Sequence, residues 1–179
     1  MKPLHVYSIP KTKTKQTTPY HHISWVNRAA STDSIRYVLQ SLLVEGKRII
    51  ATDGRRLHYY EDDYFTDVND GIYRVVKTAK EILLIANPDA GTYPNYKAAI
   101  PSGPTEDSFT AIGYTPQERA AHIIYEMGKR DQAFLFLPYV SDVCSDKADS
   151  VKVECRGKLS PVVFKDNDRF AIVMPRRID

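Results

Sequence analysis

The sequence predicts an α+β fold in which short helices pack on antiparallel sheets. Two observations carry that prediction. A strand, a short helix and a three-strand meander can be read near the start of the chain, and the same order returns near its end. Within each meander, turn residues at hairpin spacing separate short apolar runs: Glu45-Gly46, Asp53-Gly54 and Asp166-Asn167-Asp168. Two such strand-helix-three-strand modules side by side would give sheets with their helices on one side. The chain has 179 residues and 42% apolar content, which suits one domain or two small ones with a packed core.

The elements follow in order. Leu4 to Ile9 alternates as a short strand ending at Pro10. KTKTKQTTP, residues 11 to 19, sets Lys11, Lys13 and Lys15 among threonines. It reads either as a solvated loop or as a basic arm that touches phosphates. YHHISWVNRAAS, residues 20 to 31, reads as a short helix with Ile23, Val26 and Ala30 on one face and His21, Ser24 and Arg28 on another. SIRYVLQSLLVEGKRIIATDGRRLHYYED reads as three strands, with Asp53-Gly54 as a two-residue hairpin turn because Asp-Gly tolerates positive φ. GIYRVVK is a further strand, and TAKEILLIAN a short helix that Pro88 ends.

Residues 88 to 108 have the composition of a connector, and SFTAIGY that of a strand. TPQERAAHIIYEMGKR carries the strongest helix signals: Thr115 to cap, Pro116 at the first position, Glu118 to complete a capping box. Ala120, Ile123, Ile124 and Met127 form its apolar stripe, and Gly128 is placed to close it. AFLFLP, residues 133 to 138, reads as a strand and YVSDVCSDKAD as a helix. SVKVECR, LSPVVFKDN and RFAIVMPRR complete the second meander. The domain organisation expected is an N-terminal module with an extra strand and helix over 1–87, a connector over 88–108 and a C-terminal module over 109–179, or all of these in one compact domain.

The formal charge of +3 is only mildly basic, so nucleic acid is permitted as a partner but not demanded. Cys144 and Cys155 have no metal-ligand spacing. The five histidines, His5, His21, His22, His58 and His122, have no metal spacing with a Cys or carboxylate partner. There is no phosphate-binding glycine loop and no nucleophile elbow. Cys144 with a distant histidine is a weak sign of thiol catalysis beside the plainer reading of a buried structural thiol. The expectation is a non-catalytic binding protein with no cofactor and no metal. MKPLHVYSIPK lacks the apolar core of a signal peptide, and no apolar run nears the ~20 residues of a membrane helix. A reduced, cytoplasmic chain with no membrane partner is expected.

Three separated stretches resemble one family, the bacterial DNA polymerase III beta subunit, or sliding clamp. Residues 34 to 57, SIRYVLQSLLVEGKRIIATDGRRL, resemble the start of its middle domain, with an Arg-Tyr-Leu strand and then Ala-Thr-Asp-Gly-His-Arg-Leu. YPNYKAAIP, residues 93 to 101, resembles the Phe-Pro-Asp-Tyr connector between its middle and last domains. DNDRFAIVMPRRID, residues 166 to 179, resembles its C-terminus, Tyr-Val-Val-Met-Pro-Met-Arg-Leu. AFLFLPYVSDVCS is similar to the strand and helix that open its last half-domain. The family's first domain has no counterpart, and GIYRVVKTAKEILLIAN resembles a strand and helix whose following meander is missing. The resemblance therefore implies a reduced, DNA-clamp-like fold.

It also implies a site. In the family, these stretches wall a pocket that takes short peptides from polymerases, the clamp loader and repair proteins. Carried over, Arg36, Tyr37 and Val38 lie on one wall, and Thr52, Gly54, Arg55, Arg56 and Leu57 follow the turn. Pro94 and Lys97 come from the connector, and Ile172, Val173, Met174, Pro175, Arg176 and Arg177 from the C-terminal strand. Leu57, Val173, Met174 and Pro175 can form an apolar groove, and rim arginines can bond peptide carbonyls or a carboxylate. Arg55 stands where the family has His, Arg176 where it has an apolar Met, and Asp179 extends the end by one residue. The alternative is that all these are strand and core residues of an inherited fold.

Family rings are lined by helices whose basic residues face duplex DNA. The residues offered for that role here are Arg28, Lys77, Lys80, Arg119, Lys129 and Arg130. Two functions stay open: a clamp-like replication accessory that binds polymerase or clamp-loader type peptides, with double-stranded DNA and further copies of the chain as candidate partners, or an adaptor or decoy that keeps the pocket without encircling DNA.

Overall fold

In the computed structural model the described residues are 5–12, 18–145 and 150–177. Most of the lysine-threonine stretch, Asp146 and Lys147, and Asp179 lie outside them. The chain divides into two compact units, Met1–Asp53 with His58–Pro94, and Gly54–Leu57 with Asn95–Asp179. The architecture is α+β, with antiparallel strands and short helices.

The first unit contains β1 (Val6–Pro10), α1 (Pro19–Val26), β2 (Leu42–Glu45), β3 (Arg48–Thr52), β4 (Arg56–Glu61, from His58 on), β5 (Gly71–Lys77) and β6 (Glu81–Ala86). Its strands run in the order β1-β6-β5-β2-β3-β4. α1 follows Thr18 with Pro19 in its first turn, and it packs on β3. Ile23 and Val26 are fully buried, but the third buried position is Ala29 rather than the expected Ala30. The reason is that the helix tightens to a 3-10 turn over Asn27–Ala29, and three residues per turn set Ala29 directly after Val26.

Two elements differ from the sequence reading in this unit. Residues 34–40 form a 3-10 segment, not a strand. The Asp33 carboxylate accepts the Ile35 amide at 3.0 Å, and Gln40 donates back to the Asp33 carbonyl at 3.0 Å, so the backbone curls locally. TAKEILLIAN is not a helix. The Thr78 hydroxyl accepts the amides of Lys80 and Glu81, which turns the chain, and β6 then returns along β5. Ile82 and Leu84 are fully buried and alternate with half-buried neighbours, the period of a strand. The unbroken apolar run of residues 82–86 carries no period that separates a strand from a buried helix. The turn between β3 and β4 has three residues, not two: Asp53, Gly54 and Arg55, with Gly54 supplying φ of 86°.

The second unit contains β7 (Asp107–Ile112), α2 (Pro116–Lys129), α3 (Leu137–Val143), β8 (Ser150–Cys155), β9 (Val162–Asp166) and β10 (Arg169–Val173), with strand order β10-β9-β8-β7. α2 has the expected capping box. Thr115 accepts the Glu118 amide at 3.1 Å, and Glu118 accepts the Thr115 amide at 2.9 Å. Ala120, Ile123 and Met127 are buried, with Ile124 half-buried. The helix runs past Gly128 to Lys129, and the left-handed residue after its end is Asp131, at φ of 53°. Residues 133–136 are irregular rather than a strand, and α3 begins at Leu137 with Pro138 in its first turn. The second module is therefore opened by β7 and α2. Val153, Val162 and Val173 are fully buried and fill the core of its meander.

Candidate functional site

The second unit holds a groove of about 600 Å³ lined by Arg55, Phe136, Tyr139, Met174, Pro175, Arg176 and Arg177. That volume lies within the ~300–1,000 Å³ of ordinary ligand clefts. Local folding explains how the lining comes together. β10 ends at Val173, and the following segment is held on two sides by backbone hydrogen bonds. The Met174 amide donates to the Arg55 carbonyl at 2.9 Å, and the Arg176 amide donates to the Phe134 carbonyl at 2.7 Å. Phe136 and Tyr139 flank the start of α3, and their rings meet edge to face at 5.0 Å. Phe136 and Met174 are 40% and 38% exposed, enough to offer apolar surface to a ligand.

The electrostatics are one-sided. Arg56 lies 4.4 Å from the Tyr139 ring centroid and forms an ion pair with Asp142 on α3, with little solvent access to the arginine. Arg176 lies 5.7 Å from the Phe136 ring. Among the described residues that line the groove, three are cationic and none is acidic.

Of the residues carried over from the family, the groove collects Arg55, Met174, Pro175, Arg176 and Arg177. Leu57, Ile172 and Val173 are buried core residues of the same unit and do not line it. Gly54 forms the turn beside Arg55, and Arg56 pairs as described. Lys97 is exposed on a 3-10 turn, over the ring of Tyr96 at 5.7 Å. Arg36, Tyr37, Val38, Thr52 and Pro94 belong to the first unit. There Tyr37 is 59% exposed, Thr52 is buried, and Arg36 reaches the Asp53 carbonyl at 3.5 Å. Phe136 and Tyr139 were missing from the sequence-derived set. The signal for Phe136 was the Phe-Leu-Phe-Leu-Pro run, which reads as a strand although the segment is the entry to a helix.

The residues offered for DNA divide differently. Arg28 and Lys80 are exposed, and Lys129 is exposed near Glu126. Lys77 donates to Ser24 at 2.7 Å. Arg119 is a correction, because it is 2% exposed and its guanidinium donates to the carbonyls of Gly113 at 2.8 Å and Cys144 at 3.0 Å. A buried guanidinium tied to two carbonyls cannot reach a phosphate. Arg130 is held by both oxygens of Asp107, at 3.0 and 2.9 Å, and by Glu126. The hydrogen bonds from Arg130 hold the Asp107 carboxyl below its ordinary range, so the arginine's charge is locally offset.

The groups that would carry other chemistry are occupied in the core. Burial pushes the Cys144 and Cys155 thiols up to about 11, so neither is a thiolate near neutral pH. His58 is fully buried, stacked on Trp25 with ring centroids 4.3 Å apart. Among the described residues no cluster of three or more His, Cys, Asp or Glu could hold a metal ion, and no helix is long and apolar enough to cross a membrane.

No family model matches the sequence, and no curated protein does. Solved structures match the fold. The DNA polymerase III subunit beta from Pseudomonas aeruginosa superposes with a TM-score of 0.65 at 16% identity, over 97% of this chain and 66% of that one. The Helicobacter pylori beta clamp bound to a DNA ligase peptide matches with a TM-score of 0.60 at 12% identity, over 99% of this chain and 67% of that one. A Pseudomonas aeruginosa sliding clamp bound to griselimycin gives 0.62 at 15% identity, over 99% and 67%. The chain spans about two thirds of the length of these clamps. Its fold is that of the bacterial sliding clamp, over about two thirds of a clamp's length.

Proposed function

We propose that the chain is a sliding-clamp-like replication accessory of the processivity-factor type, which acts by holding short peptides in the groove of its second unit. The observation that carries this reading is the groove: an apolar floor of Phe136, Tyr139, Met174 and Pro175 with arginines around it, on a clamp fold. A peptide with leucine and phenylalanine anchors suits such a floor, and a few anchors would dominate its affinity. The peptide on the Helicobacter pylori clamp gives the reading a precedent in a protein of the same fold.

Fluorescence anisotropy with a labelled Gln-Leu-x-Leu-Phe peptide tests it. Binding is expected, weakened about tenfold or more by Met174→Ala and Phe136→Ala, the usual scale for an anchor contact. Both side chains are exposed, so the variants should fold; Leu57 is a poorer choice because it is 2% exposed. No binding to a folded sample would leave the clamp residues as inherited scaffold.

The adaptor reading, in which the groove works without a DNA-encircling ring, is favoured by Arg119 and Arg130. One is buried against carbonyls and the other is held by two carboxylates. Light scattering and duplex-DNA titrations across salt separate the two readings. A monomer with no salt-dependent DNA binding is the adaptor outcome, and a closed oligomer that retains DNA is the clamp outcome.

A further inference from the structure

We infer that the groove selects peptides carrying a carboxylate beside their apolar anchors; this deepens the peptide-binding reading and rests on it. Arg55, Arg176 and Arg177 line the groove and no acidic residue does, among the described residues. Asp142, the acid carried by α3 near this region, is engaged by Arg56.

Arg176 is also placed before any ligand arrives. Its amide is bonded to the Phe134 carbonyl, and its guanidinium sits over the Phe136 ring at 5.7 Å. A planar guanidinium held at the border of an apolar floor matches a carboxylate with two parallel hydrogen bonds. Holding it in position lowers the ordering cost of that contact. Single-stranded nucleic acid suits the site less well. It needs open aromatic faces for base stacking, whereas cations already lie over Tyr139 and Phe136.

The test uses the whole chain and two labelled peptides with identical leucine and phenylalanine anchors. One carries Asp and Glu at the flanking positions and the other Asn and Gln. Anisotropy titrations at low and high salt are run on the parent, Arg176→Met and Arg177→Gln. The acidic peptide should bind about tenfold tighter at low salt, the scale of one or two charge-assisted contacts. The advantage should shrink at high salt and fall several-fold in Arg176→Met. Arg176 is exposed and its backbone bond survives the substitution, so a thermal melt matching the parent is expected. Equal affinity for the two peptides would overturn the charge selection and leave the peptide groove standing. Binding of neither would overturn both. Tighter binding of a single-stranded oligonucleotide, competed by the peptides and lost in Arg176→Met, would overturn the choice of a peptide.

Discussion

The two units build the same module differently. In the second, the opening strand β7 pairs directly with β8, the first strand of the meander, with Phe109 opposite Val153. In the first, β1 does not pair with β2. The β5–β6 hairpin stands between them, β1 along β6 and β5 along β2. A strand-helix-meander unit thus tolerates two extra strands at one position, provided their inward side chains continue the core. Tyr73, Ile82 and Leu84 do so, at 2%, 0% and 0% exposure. The helices differ in the same direction: α2 is capped by reciprocal hydrogen bonds, whereas Thr18 makes no side-chain cap to α1.

If the inserted hairpin belongs to the core, cutting its inward side chain should cost as much as any core truncation. Leu84→Ala should destabilise the protein by about 2–5 kcal/mol, the range for deleting a buried leucine and leaving a cavity. Urea unfolding monitored by circular dichroism measures it, and Val153→Ala in β8 is the matched probe of the second unit. A loss below about 1 kcal/mol for Leu84→Ala would break the comparison, because only a peripheral addition gives way so cheaply.

These contrasts also mark what the sequence could reveal. α2 was readable residue by residue, since Thr115, Pro116 and Glu118 each act through local chemistry visible in one turn of chain. β8 was readable because Val151 and Val153 alternate with polar neighbours. β6 was not, because its strand identity comes from pairing on both sides with residues distant in sequence. The Arg36-Tyr37-Val38 segment has strand-like composition, and only the Asp33 cap and the Gln40 return bond show why it coils. At the site, Arg55 and Met174–Arg177 were reached through resemblance. Phe136 and Tyr139 were not, because the break from irregular chain to α3 at Leu137 sets their direction. Arg119 on an amphipathic helix reads as solvated, and only tertiary packing supplies the two carbonyls that bury it.

Arg119 is the next largest lever. Arg119→Met keeps the stem's volume but leaves the Gly113 and Cys144 carbonyls without that donor. A loss of about 1–3 kcal/mol is expected, the penalty for buried polar groups left unsatisfied. Duplex DNA affinity, where any is found, should not change. A fall in DNA affinity at unchanged stability would restore Arg119 as a phosphate contact. The helix caps give a smaller difference. Thr115→Ala should cost about 1 kcal/mol through the lost capping box. Thr18→Ala should cost less, because the Thr18 hydroxyl faces the His21 ring at 2.9 Å rather than a helix amide. Equal costs would erase the contrast between the two helices.

The smallest effect concerns acid. Burial pushes the Glu154 carboxyl up, but hydrogen bonds and charge from Lys165 and Lys152 outweigh it and hold the group below the ordinary glutamate value of 4.5. Lys165 reaches both carboxylate oxygens, at 2.9 and 3.0 Å. A carboxyl whose folded value is depressed binds its proton more readily when unfolded. Its stabilising contribution is therefore complete above about pH 4.5 and is lost as pH falls through the lower folded value. Glu154 joins β8 to the Lys165 position of β9, so this dependence belongs to the second unit. Glu154→Gln should lower stability at pH 7 and flatten the decline below pH 4.5, read as the midpoint of urea unfolding against pH. An unchanged acid limb in the variant would mean that the lysines gain nothing from the carboxylate's charge and that the β8–β9 pairing is held by Val153, Phe164 and the rest of its apolar face alone.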